Sequence, residues 1–262
     1  MNGVNKTLYI PLYGKAYVSK KGIILNDKTA EHIWENEGFE LKGKSKSKWL
    51  AYYMGMRSEV FDRWLEKQLE EDKEAIILHI GCGMDSRINR VGTDGHTWYD
   101  VDFPDVIRER KLYYQEDEFY HMIESDAREN EWINTLPVGK NAIIVMEGVT
   151  MYFKPEELKQ LLKDLTNHFN RVNILMDCYT DFAAKATKYK NPINEVGVTV
   201  VYGVDDPHTL EEGTGLIFVK EHDMTPDELI NELTGYEKAI YKKVFAGSLA
   251  GKMYRMYEFK SE

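Results

Sequence analysis

This sequence predicts an α/β fold built on a mostly parallel sheet, and three observations carry the prediction. The run Ala75-Ile76-Ile77-Leu78-His79-Ile80 has the character of a buried strand and stops at the turn Gly81-Cys82-Gly83. A second strand-like run, Trp98-Tyr99-Asp100-Val101-Asp102, ends in an acid nineteen residues after Gly83. From residue 75 onward, short apolar runs alternate with helical stretches, the rhythm of a parallel sheet covered on both faces.

Residues 1–74 are expected to form an N-terminal helical cap. It comprises a loop, a short helix around Lys28 to Glu37, and a long helix from about Lys48 to Glu71, where Leu50, Tyr53, Met54, Val60, Phe61, Trp64, Leu65 and Leu69 recur at helical spacing. Residues 75–178 form the ligand-binding core, with strands expected at 75–81, 96–102, 119–125, 141–147 and 172–178. Helices should start at Pro104 and at Lys154-Pro155-Glu156-Glu157, where proline and acids suit a first helical turn. Beyond Cys178 the rhythm weakens. A helical stretch runs to about Lys190, followed by an irregular span through Asp205-Asp206-Pro207, an apolar run from Gly215 to Val219, helical signals over 225–249 and a final strand from Tyr254 to Phe259. A last strand reached by so irregular a connection is expected to be antiparallel. No repeat or linker divides the chain, so a single domain spanning residues 1–262 is expected.

The chain's 262 residues suit one large α/β domain. A net charge of −10 argues against nucleic acid, which needs a basic footprint. The one lysine cluster, Lys42-Gly43-Lys44-Ser45-Lys46-Ser47-Lys48, has the composition of a solvated loop. Cys82 and Cys178 stand far apart without a CxxC motif, which indicates neither a disulfide framework nor a metal site and fits a reducing, cytoplasmic setting. No apolar run approaches the roughly 18 residues of a membrane span, so no membrane partner is expected.

A glycine turn followed by an acid at the next strand's tip is the layout of a nucleoside-binding crevice. A nicotinamide dinucleotide would want a third glycine where Ser86 stands, which weakens that reading. S-adenosylmethionine has ribose and adenine but no phosphate, and it asks for other partners. Asp102 suits the ribose, Asp126 the adenine amine, and Gly81 and Gly83 admit the amino-acid tail. Glu147 ends the apolar run Ala142-Ile143-Ile144-Val145-Met146 at a carboxyl-terminal strand edge. Any one of these acids alone could equally be solvated rim.

Five segments together resemble the leucine carboxyl methyltransferase family, in its polyketide-synthesis, tetracenomycin-type O-methyltransferase branch. They are residues 10–16, Met56-Arg57-Ser58-Glu59-Val60-Phe61-Asp62, the Gly-Cys-Gly-x-Asp-x-Arg motif ending at Arg87, Asp100-Val101-Asp102-Phe103-Pro104, and Glu147-Gly148-Val149-Thr150-Met151-Tyr152. The resemblance implies a Rossmann-like class I methyltransferase sheet of seven strands, the last antiparallel, with S-adenosylmethionine as cofactor. It assigns Arg57 and Lys15 to the cofactor carboxylate, Gly81 and Gly83 to the turn beneath it, and Asp102 to the ribose. Glu147 and Tyr152 fall to the amino-acid end. Asp126 falls beside the adenine, next to Ala127, where the family often carries a bulkier apolar residue. On its own, Arg57 is a helix arginine within reach of Glu59 or Asp62, and Lys15 a surface lysine.

Methyl transfer to a carboxylate needs no base, whereas a hydroxyl acceptor benefits from one. His79 belongs to a strand and so to the core; His121 and His168 show no partner, and His208 and His222 are surface residues unless the acceptor lies beside them. No catalytic base is assigned, and no metal. The acceptor side should come from the cap and residues 179–262. There Tyr179, Phe182, Tyr189 and Tyr202 either line an apolar pocket or pack the insertion onto the core. Gly247-Ser248-Leu249-Ala250-Gly251-Lys252 is too short between its glycines for a phosphate loop. The leading expectation is an O-methyltransferase acting on a small molecule. A protein carboxyl methyltransferase, a non-catalytic cofactor-binding scaffold and a nicotinamide oxidoreductase remain as alternatives.

Overall fold

A computed structural model describes residues 8–38, 41, 43–186, 200–246 and 250–261. Three helices, α1 (Tyr9–Lys21), α2 (Lys28–Glu37) and α3 (Lys48–Glu71), lead into a seven-stranded sheet. Its strands are β1 (Ile76–Ile80), β2 (Trp98–Asp102), β3 (Tyr120–Glu124), β4 (Asn141–Met146), β5 (Arg171–Tyr179), β6 (Leu216–His222) and β7 (Tyr254–Ser261), in the spatial order β3-β2-β1-β4-β5-β7-β6. β1 to β5 run parallel, and β7 inserts between β5 and β6 antiparallel to both. The expected antiparallel last strand is thus present. Helices α4 (Arg87–Val91), α5 (Pro104–Arg110) and α6 (Pro155–His168) connect the parallel strands, and α7 (Asp181–Ala186), α8 (Asp227–Ile230) and α9 (Gly235–Val244) follow β5.

The strands have continuous apolar runs because both faces of the sheet are covered. Successive side chains point to opposite faces. Ile77, Ile143, Val145 and Leu175 pack against Phe61, Trp64, Leu65 and Leu69 of α3 and against Ile10 and Leu12 of α1. Ile76, Leu78, Ile80, Ile144 and Met146 pack against Leu158, Leu161, Leu162 and Leu165 of α6. Strand order reverses on either side of β1, where the chain steps to β2 on one side and β4 on the other. The crevice outside their carboxyl ends is where α/β sheets bind ligands.

The structure departs from expectation at the amino terminus, where a loop was anticipated and α1 is found. Pro11 sits within its first turn, where the missing N–H has no helical partner to lose. The buried positions Tyr9, Ile10, Leu12, Gly14, Lys15, Ala16, Val18 and Ser19 surround the whole helix, so no apolar stripe of helical period exists to be read. Two glycines seat α1 against α3. A Cβ on Gly14 would lie 2.6 Å from Met54 Cβ, and one on Gly55 would lie 2.8 Å from Val18 Cγ2. Among the described residues of the span 225–249, the helical signals correspond to two short helices, α8 and α9.

Gly14→Ala separates two competing effects. Helix propensity alone would favour alanine by about 1 kcal/mol, but the contact with Met54 forces the helices apart at a cost of about 1–3 kcal/mol. A net loss of stability in urea unfolding is the expected outcome.

Candidate active site

A cavity of about 400 Å³ opens at the carboxyl ends of the parallel strands. Lys15, Arg57, Gly81, Gly83, Asp102, Asp126, Ala127, Glu147 and Tyr152 all border it. Segments far apart in sequence are therefore brought to one place. The order of the strands spreads them along the crevice, with Asp102, Asp126 and Ala127 on the β2–β3 side, Lys15, Arg57 and Glu147 in the middle, and Tyr152, Tyr202 and Tyr254 toward β5 and β7.

The turn after β1 needs glycine at both ends. Gly81 has φ +71°, and a Cβ there would lie 2.5 Å from Val149 Cγ2; Gly83 has φ +53°. The Gly83 N–H donates to Asp102 Oδ2 at 2.7 Å, and the Phe103 N–H donates to Oδ1 at 2.7 Å. Each carboxylate oxygen keeps further acceptor capacity. Burial raises the Asp102 carboxyl to about 6, against the pull of those two N–H groups. Asp100, two residues earlier, serves the core instead. It is fully buried and accepts from Trp98 Nε1 at 2.8 Å and the Tyr120 hydroxyl at 2.5 Å, beside the Arg110 guanidinium.

Arg57 is neither exposed nor paired with Glu59 or Asp62. Its Nε and Nη2 engage Glu147 Oε1 at 3.1 and 3.0 Å, and its Nη1 reaches Asp177 Oδ2 at 2.9 Å. Glu59 instead holds Arg63 at 2.8 Å. Lys15, also buried rather than on the surface, pairs with Asp85 at 2.9 Å. Glu147 additionally accepts from Arg87, whose Nε binds Asp62 at 2.7 Å. Arg90 joins Asp62, Asp27 and Asp85 at 2.6, 2.6 and 2.9 Å. Burial alone would push the Glu147 carboxyl up, but Arg57, Lys15 and Arg87 reverse this and hold it at about 2. The same balance, with Lys15, Arg87 and Arg90 as the cations, keeps Asp85 well below the usual carboxylate range. For Asp177 burial prevails over Arg57, and its carboxyl is raised.

Sequence reasoning gave no role to Arg90, Asp27 or Asp177, used Asp85 and Arg87 only as parts of the glycine-turn motif, and took Asp62 only as an alternative partner of Arg57. Asp177 carried a legible signal, as an acid inside the apolar run Ile174-Leu175-Met176-Asp177-Cys178. Asp126 is engaged by Arg128, whose Nε and Nη2 approach it at 2.9 and 2.5 Å. Of the four aromatics considered for the acceptor side, Tyr202 borders the cavity, Tyr179 is buried behind Tyr254, and Phe182 is 63% exposed. Tyr189 lies outside the described residues, as do residues 247–249 of the apparent phosphate loop. His208 and His222 do not border the cavity and pair with Glu211 and Glu258 at 2.9 and 2.6 Å. His79 is core, as expected, with Nε2 3.1 Å from Arg87 and Nδ1 3.4 Å from Asp100.

Removing one partner from a buried ion pair leaves an uncompensated charge and costs about 3–5 kcal/mol. Asp62→Ala deprives both Arg87 and Arg90 of a carboxylate. Its free energy of unfolding from guanidinium chloride titration should fall by about that amount, whereas Glu59→Ala on the same helix should change it little.

The leucine carboxyl methyltransferase family model matches residues 10–166, more than half of the chain. The tetracenomycin polyketide synthesis O-methyltransferase TcmP of Streptomyces glaucescens is 27% identical, over 91% of this chain and 89% of its own length. The S-adenosyl-L-methionine-dependent methyltransferase dpfgK of Gibberella zeae is 26% identical, over 80% of this chain and 78% of its own. Among solved structures, magnesium protoporphyrin IX methyltransferase from Synechocystis PCC 6803 with bound SAH aligns over 90% of this chain and 95% of its own, with a TM-score of 0.51 and 12% identity, a likeness of fold. The chain therefore belongs to the leucine carboxyl methyltransferase family, and it is an S-adenosylmethionine-dependent methyltransferase.

Proposed function

We propose that the protein methylates an oxygen of a small molecule, and that this oxygen arrives already ionised, as in a carboxylate. The reading rests on the carboxylates at the cavity: among the described lining residues Asp102 is the one not tied to a cation, and the ribose takes it. All seven histidines lie within the described residues, and of these only His79 borders the cavity. Burial lowers its pKa, and its two ring nitrogens face Arg87 and Asp100. Among the described lining residues, Asp85, Asp126, Glu147 and Glu157 are each tied to a cation. With Asp102 on the ribose, a neutral alcohol would find no free carboxylate or imidazole among the described lining residues, while a carboxylate acceptor needs no base.

The residues present suit S-adenosylmethionine. Asp102 has acceptor capacity left for two ribose hydroxyls, Ala127 and Asp126 flank the place for adenine, and the Gly81–Gly83 turn leaves room for the tail. Lys15 and Arg57 face the tail carboxylate with the donors their carboxylate partners leave over, and Glu147 and Tyr152 lie by its amino-acid end. Bound there, the cofactor supplies an electrophilic methyl, which the acceptor oxygen attacks in line as the carbon–sulfur electron pair departs onto sulfur. The chain's own contribution is positioning and exclusion of water. Within one domain, residues 1–74 are assigned to the cap, 75–178 to the floor and 179–262 to the acceptor side, whose described members at the cavity are Val200, Tyr202 and Tyr254.

Calorimetry with S-adenosylhomocysteine and NAD tests the assignment, with binding of the former alone expected. Asp102→Ala should weaken S-adenosylhomocysteine by at least about tenfold, through loss of hydrogen bonds to a charged group. Undiminished affinity would remove Asp102 from the ribose site. The raised Asp102 pKa adds a pH dependence. As pH falls through 6 the carboxylate protonates and accepts less well, so wild-type affinity should drop about tenfold between pH 7 and pH 5, and Asp102→Asn should flatten that slope.

A further inference from the structure

Tyr179 ends β5 and Tyr254 begins β7, and the two face each other in the antiparallel register. Their rings meet edge to face, with centroids 4.5 Å apart and planes at 86°, and their hydroxyl oxygens are 2.9 Å apart. Two hydroxyls carry two hydrogens, and the contact between them uses one. Among the described residues neither hydroxyl has another hydrogen-bond partner.

Burial decides which hydrogen is left over. Tyr179 is 2% exposed and does not border the cavity, whereas Tyr254 does. If Tyr254 donated to Tyr179, the Tyr179 hydrogen would be sealed in the interior without an acceptor, at a cost comparable to a lost hydrogen bond. The favoured arrangement has Tyr179 donating to Tyr254, which leaves the Tyr254 O–H for a group in the cavity that Tyr254 borders. Burial also raises both phenols, so at neutral pH Tyr254 is a donor and not a base.

Its position suits the acceptor. Tyr254 stands on the β5–β7 side with Tyr152 and Tyr202, away from Asp102 and Asp126, and its ring lies 5.5 Å from that of Tyr53. The nearby Arg57 has its charge divided between Glu147 and Asp177. A neutral donor on the carboxylate oxygen that is not methylated fixes the group's orientation while drawing little electron density from the attacking oxygen.

We propose that Tyr254, oriented by Tyr179, is an acceptor-binding residue whose O–H donates to the anionic group of an aromatic acid. This rests on the ionised-acceptor reading above and names a residue beyond residue 166, where the family match ends. Tyr179 is a positioning residue, acting through Tyr254.

The test uses benzoate, 2-naphthoate and anthracene-9-carboxylate, each beside its methyl ester, titrated into the full-length protein saturated with S-adenosylhomocysteine. Wild type should bind at least one acid more tightly than its ester. Tyr254→Phe should weaken that acid roughly tenfold, leaving ester and S-adenosylhomocysteine affinities unchanged, because a single donor to a charged group is lost. Tyr179→Phe, which keeps the Tyr254 hydroxyl, should weaken the acid only about twofold to threefold. Equal acid binding by Tyr254→Phe and wild type would overturn the proposal. So would failure of wild type to bind any of the acids, or a parallel loss of S-adenosylhomocysteine affinity, which would give the hydroxyl to the cofactor. Failure of wild type to bind S-adenosylhomocysteine would instead overturn the cofactor reading on which the proposal rests.

Discussion

Glu147 sits buried at the carboxyl end of β4, and a carboxylate taken out of water is costly unless cations and hydrogen bonds surround it. Two guanidinium groups meet that need, Arg57 from α3 and Arg87 from α4. Each is buried in turn and needs further carboxylates, which Asp177 of β5 and Asp62 of α3 supply. Arg90 extends the chain of pairs to Asp27, the residue that caps α2 through the Ala30 N–H. Lys15 closes it from α1 onto Asp85. The demand of one buried charge thus propagates through α1, the start of α2, α3, α4, β4 and β5. Apolar packing brings the cap onto the sheet, and the ion pairs specify how it lies over the crevice.

The same network shapes the chemistry of the cavity. Its cations and anions are held by one another before any ligand arrives, so a charged ligand would meet a surface that needs little rearrangement. Asp102 stands outside the network, held among the described residues by two backbone N–H groups, and burial raises its pKa against their pull. Toward β5 and β7 the ionic wall gives way to tyrosines.

Much of this was legible beforehand because it depends on local pattern. The parallel strands came within about two residues of expectation, and α2 and α3 coincided with it, since each has an apolar set at its own period. α1 escaped because it is buried all round, and periodicity reports only helices with one dry face. Arg57 and Lys15, both on helices, were proposed for the cofactor through the resemblance, and Asp102, Glu147 and the Gly81–Gly83 turn were legible directly because they sit at strand tips and turns. Asp62, Arg90 and Asp27 were not, because a charged residue on a helix looks the same in sequence whether it faces water or a buried partner on another element.

By itself the sequence determined the α/β class, the glycine turn with its acid at Asp102, the family, and the exclusion of a disulfide framework. These follow from composition and short-range spacing, which survive without knowledge of contacts. Tertiary structure decided that Arg57 and Lys15 are buried and paired, that His208 and His222 stand away from the cavity, and that Tyr179 backs Tyr254. Those outcomes depend on which residues meet across long stretches of chain, where burial and the pairing of buried charge, rather than local pattern, choose the partner.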